Sequence, residues 1–157
     1  MSTPREPGAG DRAASNPTEA SAHTARPIPD TSGALAPFFA AARARRLVVQ
    51  RCAGCGALRF PPRELCSECL ATEATWQEVS GRGEVFSYNV MHQVYHPGFA
   101  ADVPYAVVMV KLAEGPKLTT SLVDCPPDAI RIGMPVEAVF EEIAPGVVLP
   151  KFRRVAQ

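Results

Sequence analysis

Hydrophobic positions are spread unevenly along this chain, and their spacing changes character from one segment to the next. Residues 1–32 hold almost no large apolar side chain and are rich in Ala, Ser, Thr, Pro and Gly. Burial there cannot offset the entropy of ordering, so a disordered tail is predicted. The spacing becomes helical in LAPFFAAARARRL (35–47), where Leu35, Phe38, Phe39, Ala42 and Leu47 form an apolar stripe. Pro37 suits a first helical turn, and the alanines and arginines propagate it. An N-terminal helical segment is therefore predicted over 33–47, with the helix ending near Arg45 because RLVVQRC is β-branched and strand-like.

From there the apolar positions come in short runs broken by turn residues. ATWQEVSGRG places Trp76 in a predicted strand. Further strands are predicted in GEVFSYNVMHQVYH (83–96), YAVVMVKLAEG (105–115), PKLTTSLVDC (116–125), PVEAVFEEI (135–143) and GVVLPKFRRV (146–155). A short helical turn at 126–130, capped by Asp124 or Asp128, precedes the fourth of these, and Gly133 is expected to start the next strand. The fold class is mainly β. Five strands with that one helical interruption fit a small Greek-key barrel, an OB-fold, over 81–157.

Composition adds boundaries to this picture. At 157 residues, 46% of them apolar, the chain suffices for one ordinary domain with a small appended module. Sixteen prolines agree with short elements and many turns. No run of about twenty apolar residues is present, so no membrane-spanning helix is expected. The first thirty residues lack the apolar core of a secretory signal. Four acidic residues there (Glu6, Asp11, Glu19, Asp30) against three arginines argue against a transit peptide. A cytoplasmic location is expected, where thiols stay reduced.

The chemistry concentrates in RCAGCGALRFPPRELCSECL (51–70), which holds four of five cysteines. They form two Cys-x-x-Cys pairs, Cys52/Cys55 and Cys66/Cys69, ten residues apart. A redox centre would need one pair, at a strand-to-helix turn inside a βαβ pattern that is missing here. Two such turns, read as facing hairpins, instead supply four thiolates to one tetrahedral metal ion, the spacing of a zinc ribbon over 48–80. Gly54 and Gly56 allow the tight turn, and Arg51, Arg59 and Arg63 lie near enough in sequence to moderate the charge. One structural zinc per chain is expected, with a rubredoxin-type iron left open by the same ligands. Four cysteines close the shell, which leaves no position for catalytic water.

No catalytic residue is identified. Cys125 stands alone and reads as a small buried hydrophobe. His23 lies in the tail. His92 and His96, on a predicted strand, would be roughly 13 Å apart and make no metal pair. A zinc ribbon joined to an OB-fold also suits single-stranded nucleic acid, which is the second reading. Residues 36–82 carry seven Arg against four acids, but residues 83–157 carry six Lys/Arg against eight acids. Phe86, Tyr88 and Tyr95 supply aromatic rings without the basic groove that phosphate tracking requires.

Five motifs in order, PFFAAARARRLVVQRCAGCG, FPPRELCSECL, W…VSGRGEVFSY, VPYAVVMVKLAEGPKL and IRIGMPVEAVF, resemble the acyl-CoA-associated zinc-ribbon/OB-fold family, long catalogued as a domain of unknown function. The resemblance covers residues 36–155. It implies an N-terminal helix, a rubredoxin-like zinc ribbon and a C-terminal OB-fold barrel, with zinc ligands at Cys52, Cys55, Cys66 and Cys69. The Pro61-Pro62-Arg63 turn and the Ser80-Gly81-Arg82-Gly83 link are intact. Family members act as non-catalytic partners of thiolase-superfamily enzymes, including thiolases, acyltransferases and aldolases of sterol side-chain breakdown. Some work beside hotdog-fold enoyl-CoA hydratases, of which this sequence carries no diagnostic feature. The resemblance thus implies an accessory subunit in a hetero-oligomer, supporting an acyl-CoA channel. HPGFAADVPY (96–105) is similar to members paired with the aldolases.

That loop joins the first two predicted barrel strands, at the mouth where OB-folds meet ligands. It gathers His96, Phe99 and Tyr105 among prolines that limit entropy loss on binding, and these three are expected to contact the partner or acyl-CoA. Phe38 and Phe39 form a second apolar patch, for which core and interface both stand open.

Overall fold

The computed structural model describes residues 25–155. Residues 1–24 of the expected tail therefore lie outside the described residues. A 3-10 turn at Gly33–Leu35 leads into helix α1 (Ala36–Arg43), with Pro37 in its first turn. Arg45 adopts a left-handed φ of 56°. Its N–H donates to Ala42 O at 2.9 Å, and that of Arg46 donates to Ala41 O at 2.9 Å. This pair of bonds stops the helix at the predicted place, with Arg45 where a glycine more often sits.

Leu47 is already strand. The central strand β1 (Leu47–Cys52) pairs antiparallel with β2 (Leu58–Arg59) and β3 (Ala74–Val79), a three-stranded ribbon in the order β2-β1-β3. The barrel comprises β4 (Arg82–Met91), β5 (Tyr105–Leu112), β6 (Lys117–Thr120), β7 (Leu122–Val123), β8 (Pro135–Ala144) and β9 (Val147–Arg154). Their order is β6-β5-β4-β8-β9-β7. Only Ser121 separates β6 from β7, so one segment borders both ends of the sheet. It pairs antiparallel with β5 through β6 and parallel with β9 through β7, closing a five-segment OB barrel. Ser121 O accepts from Phe152 N–H at 3.1 Å across the closure.

Several sequence expectations shift at element boundaries. The strand expected over 83–96 stops at Met91, so His92 and His96 sit in the following loop and not on a strand. The strand expected over 116–125 is the bent β6/β7 pair, because one straight strand could not serve both edges. The helical turn is Pro127–Ala129 with Pro126 as its first flank, and neither Asp124 nor Asp128 caps it through a side chain. Gly133, at φ 80°, turns the chain, and the next strand begins at Pro135.

One core runs through helix, ribbon and barrel. Phe38 and Phe39 are buried, in a cluster with Val49 and Val79 of the ribbon and Val85, Val110 and Phe152 of the barrel. Phe38 also packs on Phe60 of the ribbon, ring centroids 4.9 Å apart. The two phenylalanines are therefore core. The helix is wedged between the other two parts, and its apolar stripe has no free face to offer a partner.

The link between ribbon and barrel is tight. At Gly83, a Cβ would stand 2.5 Å from Lys111 O and 2.8 Å from Val110 Cγ1, so only glycine lets β4 lie against β5 there. Ser80 N–H donates to Glu114 Oε1 at 2.7 Å, tying the linker to the β5–β6 turn.

Candidate metal centre and barrel-mouth loop

Cys52 ends β1, and Cys55 follows in the turn to β2. Cys66 and Cys69 lie on a turn between β2 and β3 that has no strands of its own, so the second pair is not carried by a hairpin. The two turns nonetheless share one backbone plan. Cys52 N–H donates to Ala57 O at 2.9 Å and Gly56 N–H to Cys52 O at 3.0 Å; Cys66 N–H donates to Ala71 O at 3.0 Å and Leu70 N–H to Cys66 O at 2.9 Å. Gly56 (φ 75°) and Leu70 (φ 60°) occupy equivalent left-handed positions. The glycine takes this conformation freely, whereas the leucine does so at a steric cost.

The plan turns all four sulfurs inward. They lie within 4.8 Å of one another, the sole such group of metal-capable side chains among the described residues. Cys52 Sγ is 3.6 Å from Cys69 Sγ, and Cys55 Sγ is 3.7 Å from Cys66 Sγ. A disulfide needs about 2.05 Å. Four thiolates about 2.3 Å from a central ion stand roughly 3.8 Å apart along each tetrahedral edge, so the donor set fits zinc.

Backbone dipoles prepare the sulfurs for that charge. The Cys55 amide, opposed by burial and helped by that of Gly54, pulls the Cys52 thiol down to about 6. The amides of Glu68 and Cys69 lower Cys66. Cys55 is drawn down by the Ala57 amide, yet Cys69 Sγ, burial and the other two sulfurs push it up to about 12. Cys52 and Cys66 are thus drawn toward thiolate while Cys55 is held back by its neighbours, a conflict that a divalent cation removes. Arg51, Arg59 and Arg63 differ in their surroundings. Arg59 Nε donates to Gln50 Oε1 at 2.9 Å and its Nη2 to Arg63 O at 3.1 Å, so it braces the turn that carries Pro61 and Pro62.

The loop from β4 to β5 holds a 3-10 turn, Pro97–Asp102. His96 Nδ1 accepts from Gly98 N–H at 3.1 Å, capping that turn. Phe99 lies 6.1 Å from His96 and 5.7 Å from Tyr105, ring centroid to centroid. The three sequence-selected residues thus form one half-buried aromatic cluster, beside Tyr95, which is 71% exposed. Cys125 is half-buried at the edge of the core.

Sequence reasoning missed Arg26, which it assigned to the tail. The Arg26 guanidinium pairs with Asp102 and lies 5.3 Å from the centroid of the Phe99 ring. No local pattern could announce this contact, since 72 residues or more separate the partners.

Residues 39–74 match the family described as "ChsH2, rubredoxin-like zinc ribbon domain", and residues 76–141 match "ChsH2, C-terminal OB-fold domain". A DUF35 domain-containing scaffold protein of Methanocaldococcus jannaschii is 42% identical over 98 residues, covering 62% of this chain and 69% of that protein. A probable enoyl-CoA hydratase alpha subunit of Thermomonospora curvata is 44% identical over 136 residues, covering 87% of this chain. The match spans only 42% of that subunit's length. Among solved structures, a chain of the Ltp2-ChsH2(DUF35) aldolase superposes with a TM-score of 0.72 at 44% identity, covering 80% of this chain and 98% of that one.

Proposed function

This chain belongs to the ChsH2-type (DUF35) zinc-ribbon and OB-fold family, and from that membership we propose that it is a non-catalytic accessory subunit of a thiolase-superfamily acyl-CoA enzyme. The partner class favoured is an aldolase that cleaves acyl-CoA side chains. The observation that carries the reading is 44% identity to a chain of the Ltp2-ChsH2(DUF35) aldolase, 98% of which is covered.

The residues fit a supporting role. Cys52, Cys55, Cys66 and Cys69 would hold one zinc, and that metal, when bound, supplies cross-linking and no reaction step. A closed four-sulfur shell offers no site for a polarised substrate or a metal-bound water. His96 spends its Nδ1 on the Gly98 amide and positions the 3-10 turn. Phe99 and Tyr105 give the loop its apolar docking face. A rigid barrel seated at a partner's cleft orders loops and excludes water there, which needs no nucleophile from the barrel.

The nucleic-acid reading gains nothing from the barrel mouth. Arg26 and Lys151 line its groove beside Asp102, Glu141 and Glu142, and both cations are already paired, Arg26 with Asp102 and Lys151 with Glu141. Among the described residues, a phosphate backbone would meet no unpaired cation in that groove.

The test is co-elution of the metal-loaded chain with the Ltp2 subunit of that aldolase, mass measured by light scattering. A hetero-oligomer carrying one zinc per copy of this chain is expected. Two separate peaks, or a chain that cleaves acyl-CoA on its own, would refute the accessory role.

A further inference from the structure

The chain entering the fold lies across the face that the accessory role needs open. Arg26 Nε donates to Gly98 O at 3.1 Å, its guanidinium pairs with Asp102, and it covers the Phe99 ring at 5.3 Å. The backbone is seated as closely as the side chain. A Cβ at Gly98 would stand 2.8 Å from Arg26 N and 2.9 Å from Arg26 Cα. The loop accommodates the backbone of Ala25 and Arg26 so closely because position 98 has no side chain. Beyond Arg26, Pro27 and Pro29 line one side of a groove of about 770 Å³ that also includes Phe99, Tyr105, Ile143 and Leu149.

We propose that residues 25–30 are an intramolecular competitor, an arm that closes the barrel-mouth loop and must lift before a partner seats on Phe99 and Tyr105. The inference rests on the docking role given above to that loop. On that role the partner needs the Phe99 face that Arg26 covers, so the two occupancies exclude each other. The arm is also built to leave. None of residues 25–30 is buried, and Ile28 is 58% exposed. Its attachments are an exposed ion pair, one hydrogen bond and one guanidinium–ring contact, each weak in water. Pro27 and Pro29 keep the lifted arm extended, which limits the entropy change in either direction. Contacts of this kind favour the closed state by on the order of tenfold, and partner affinity falls by the same fraction.

Two full-length variants open the arm by different routes: Arg26→Ala removes the side-chain clasp, and Gly98→Ala removes the backbone seat. Arm occupancy is read without any partner, from the ring-current shift that Phe99 imposes on the Arg26 side chain in the NMR spectrum of the unaltered protein. In Gly98→Ala that shift is expected to vanish. Affinity for the Ltp2 subunit is expected to rise about 3- to 10-fold in both variants, while Phe99→Ala lowers it. An unshifted Arg26 in the unaltered protein overturns the arm. So does an opened arm with unchanged or weaker affinity, the latter making the arm part of the platform. The Phe99→Ala result judges the docking role separately, and if no form of the chain binds Ltp2, that role fails and the arm's competition fails with it.

Discussion

The two cysteine turns show how much one residue can decide. Cys52 combines a buried sulfur, two amide donors and a neighbour at 3.6 Å. Cys52→Ser should abolish stoichiometric zinc and cost roughly 3 kcal/mol or more of stability, since metal binding in such a site is folding free energy. Metal analysis beside a denaturant titration reads both, and a serine variant with full metal would exclude Cys52 as a ligand. Leu70 poses the opposite test. It holds the left-handed position that Gly56 holds in the matched turn, and 72% of it is exposed. Leu70→Gly trades a strained backbone for a freer unfolded chain, so stability should change by no more than about 1 kcal/mol. Gly56→Leu, with the cost and no relief, should lower the unfolding midpoint clearly. The four-cysteine cluster was legible in the sequence because Cys-x-x-Cys is a local pattern. The strain at Leu70 was not, because it follows from matching two turns in space.

At the scale of elements, the sequence is most legible where one element has one environment. The end of β5 was readable to within three residues, since that strand buries one continuous stripe at Val108, Val110 and Leu112. Legibility failed where an element serves two neighbours. The β6/β7 segment bends at Ser121 to meet β5 and β9, and nothing in PKLTTSLVDC marks that division of labour. Phe38 and Phe39 stayed ambiguous for the same reason, because a stripe wedged between ribbon and barrel looks like an interface until both faces are seen. The Gly83 approach yields a sharp expectation. Gly83→Ala pushes a methyl group into Lys111 O and should cost about 2 kcal/mol through overpacking, measured as a lowered denaturation midpoint. A neutral variant would show that β4 and β5 can separate there without penalty. The barrel-mouth loop is expected to behave differently. Phe99 packs on His96 and Tyr105 outside the main core, so Phe99→Ala should weaken complex formation several-fold while metal content and unfolding temperature stay close to those of the unaltered chain. Normal binding, or simple unfolding, would remove the loop from the interface.

Helix, ribbon and barrel share one core, and that fact links the metal to the partner. Without zinc the ribbon loses its cross-link, α1 loses the ribbon wall that holds Phe38, and the barrel loses the helix that covers it. Stripping the metal with a chelator should therefore lower the unfolding temperature of the whole described fold in one transition, followed by circular dichroism. Two separate transitions would mean that the barrel stands alone. At this scale the two cations that line the barrel mouth among the described residues, Arg26 and Lys151, are each paired with a carboxylate. The most direct measurement is carbon–carbon bond cleavage of an acyl-CoA substrate by the Ltp2 subunit alone, by this chain alone and by the two mixed. The accessory role predicts turnover that rises on mixing and none from this chain alone. Turnover by this chain alone, or a mixture no faster than Ltp2, would contradict it.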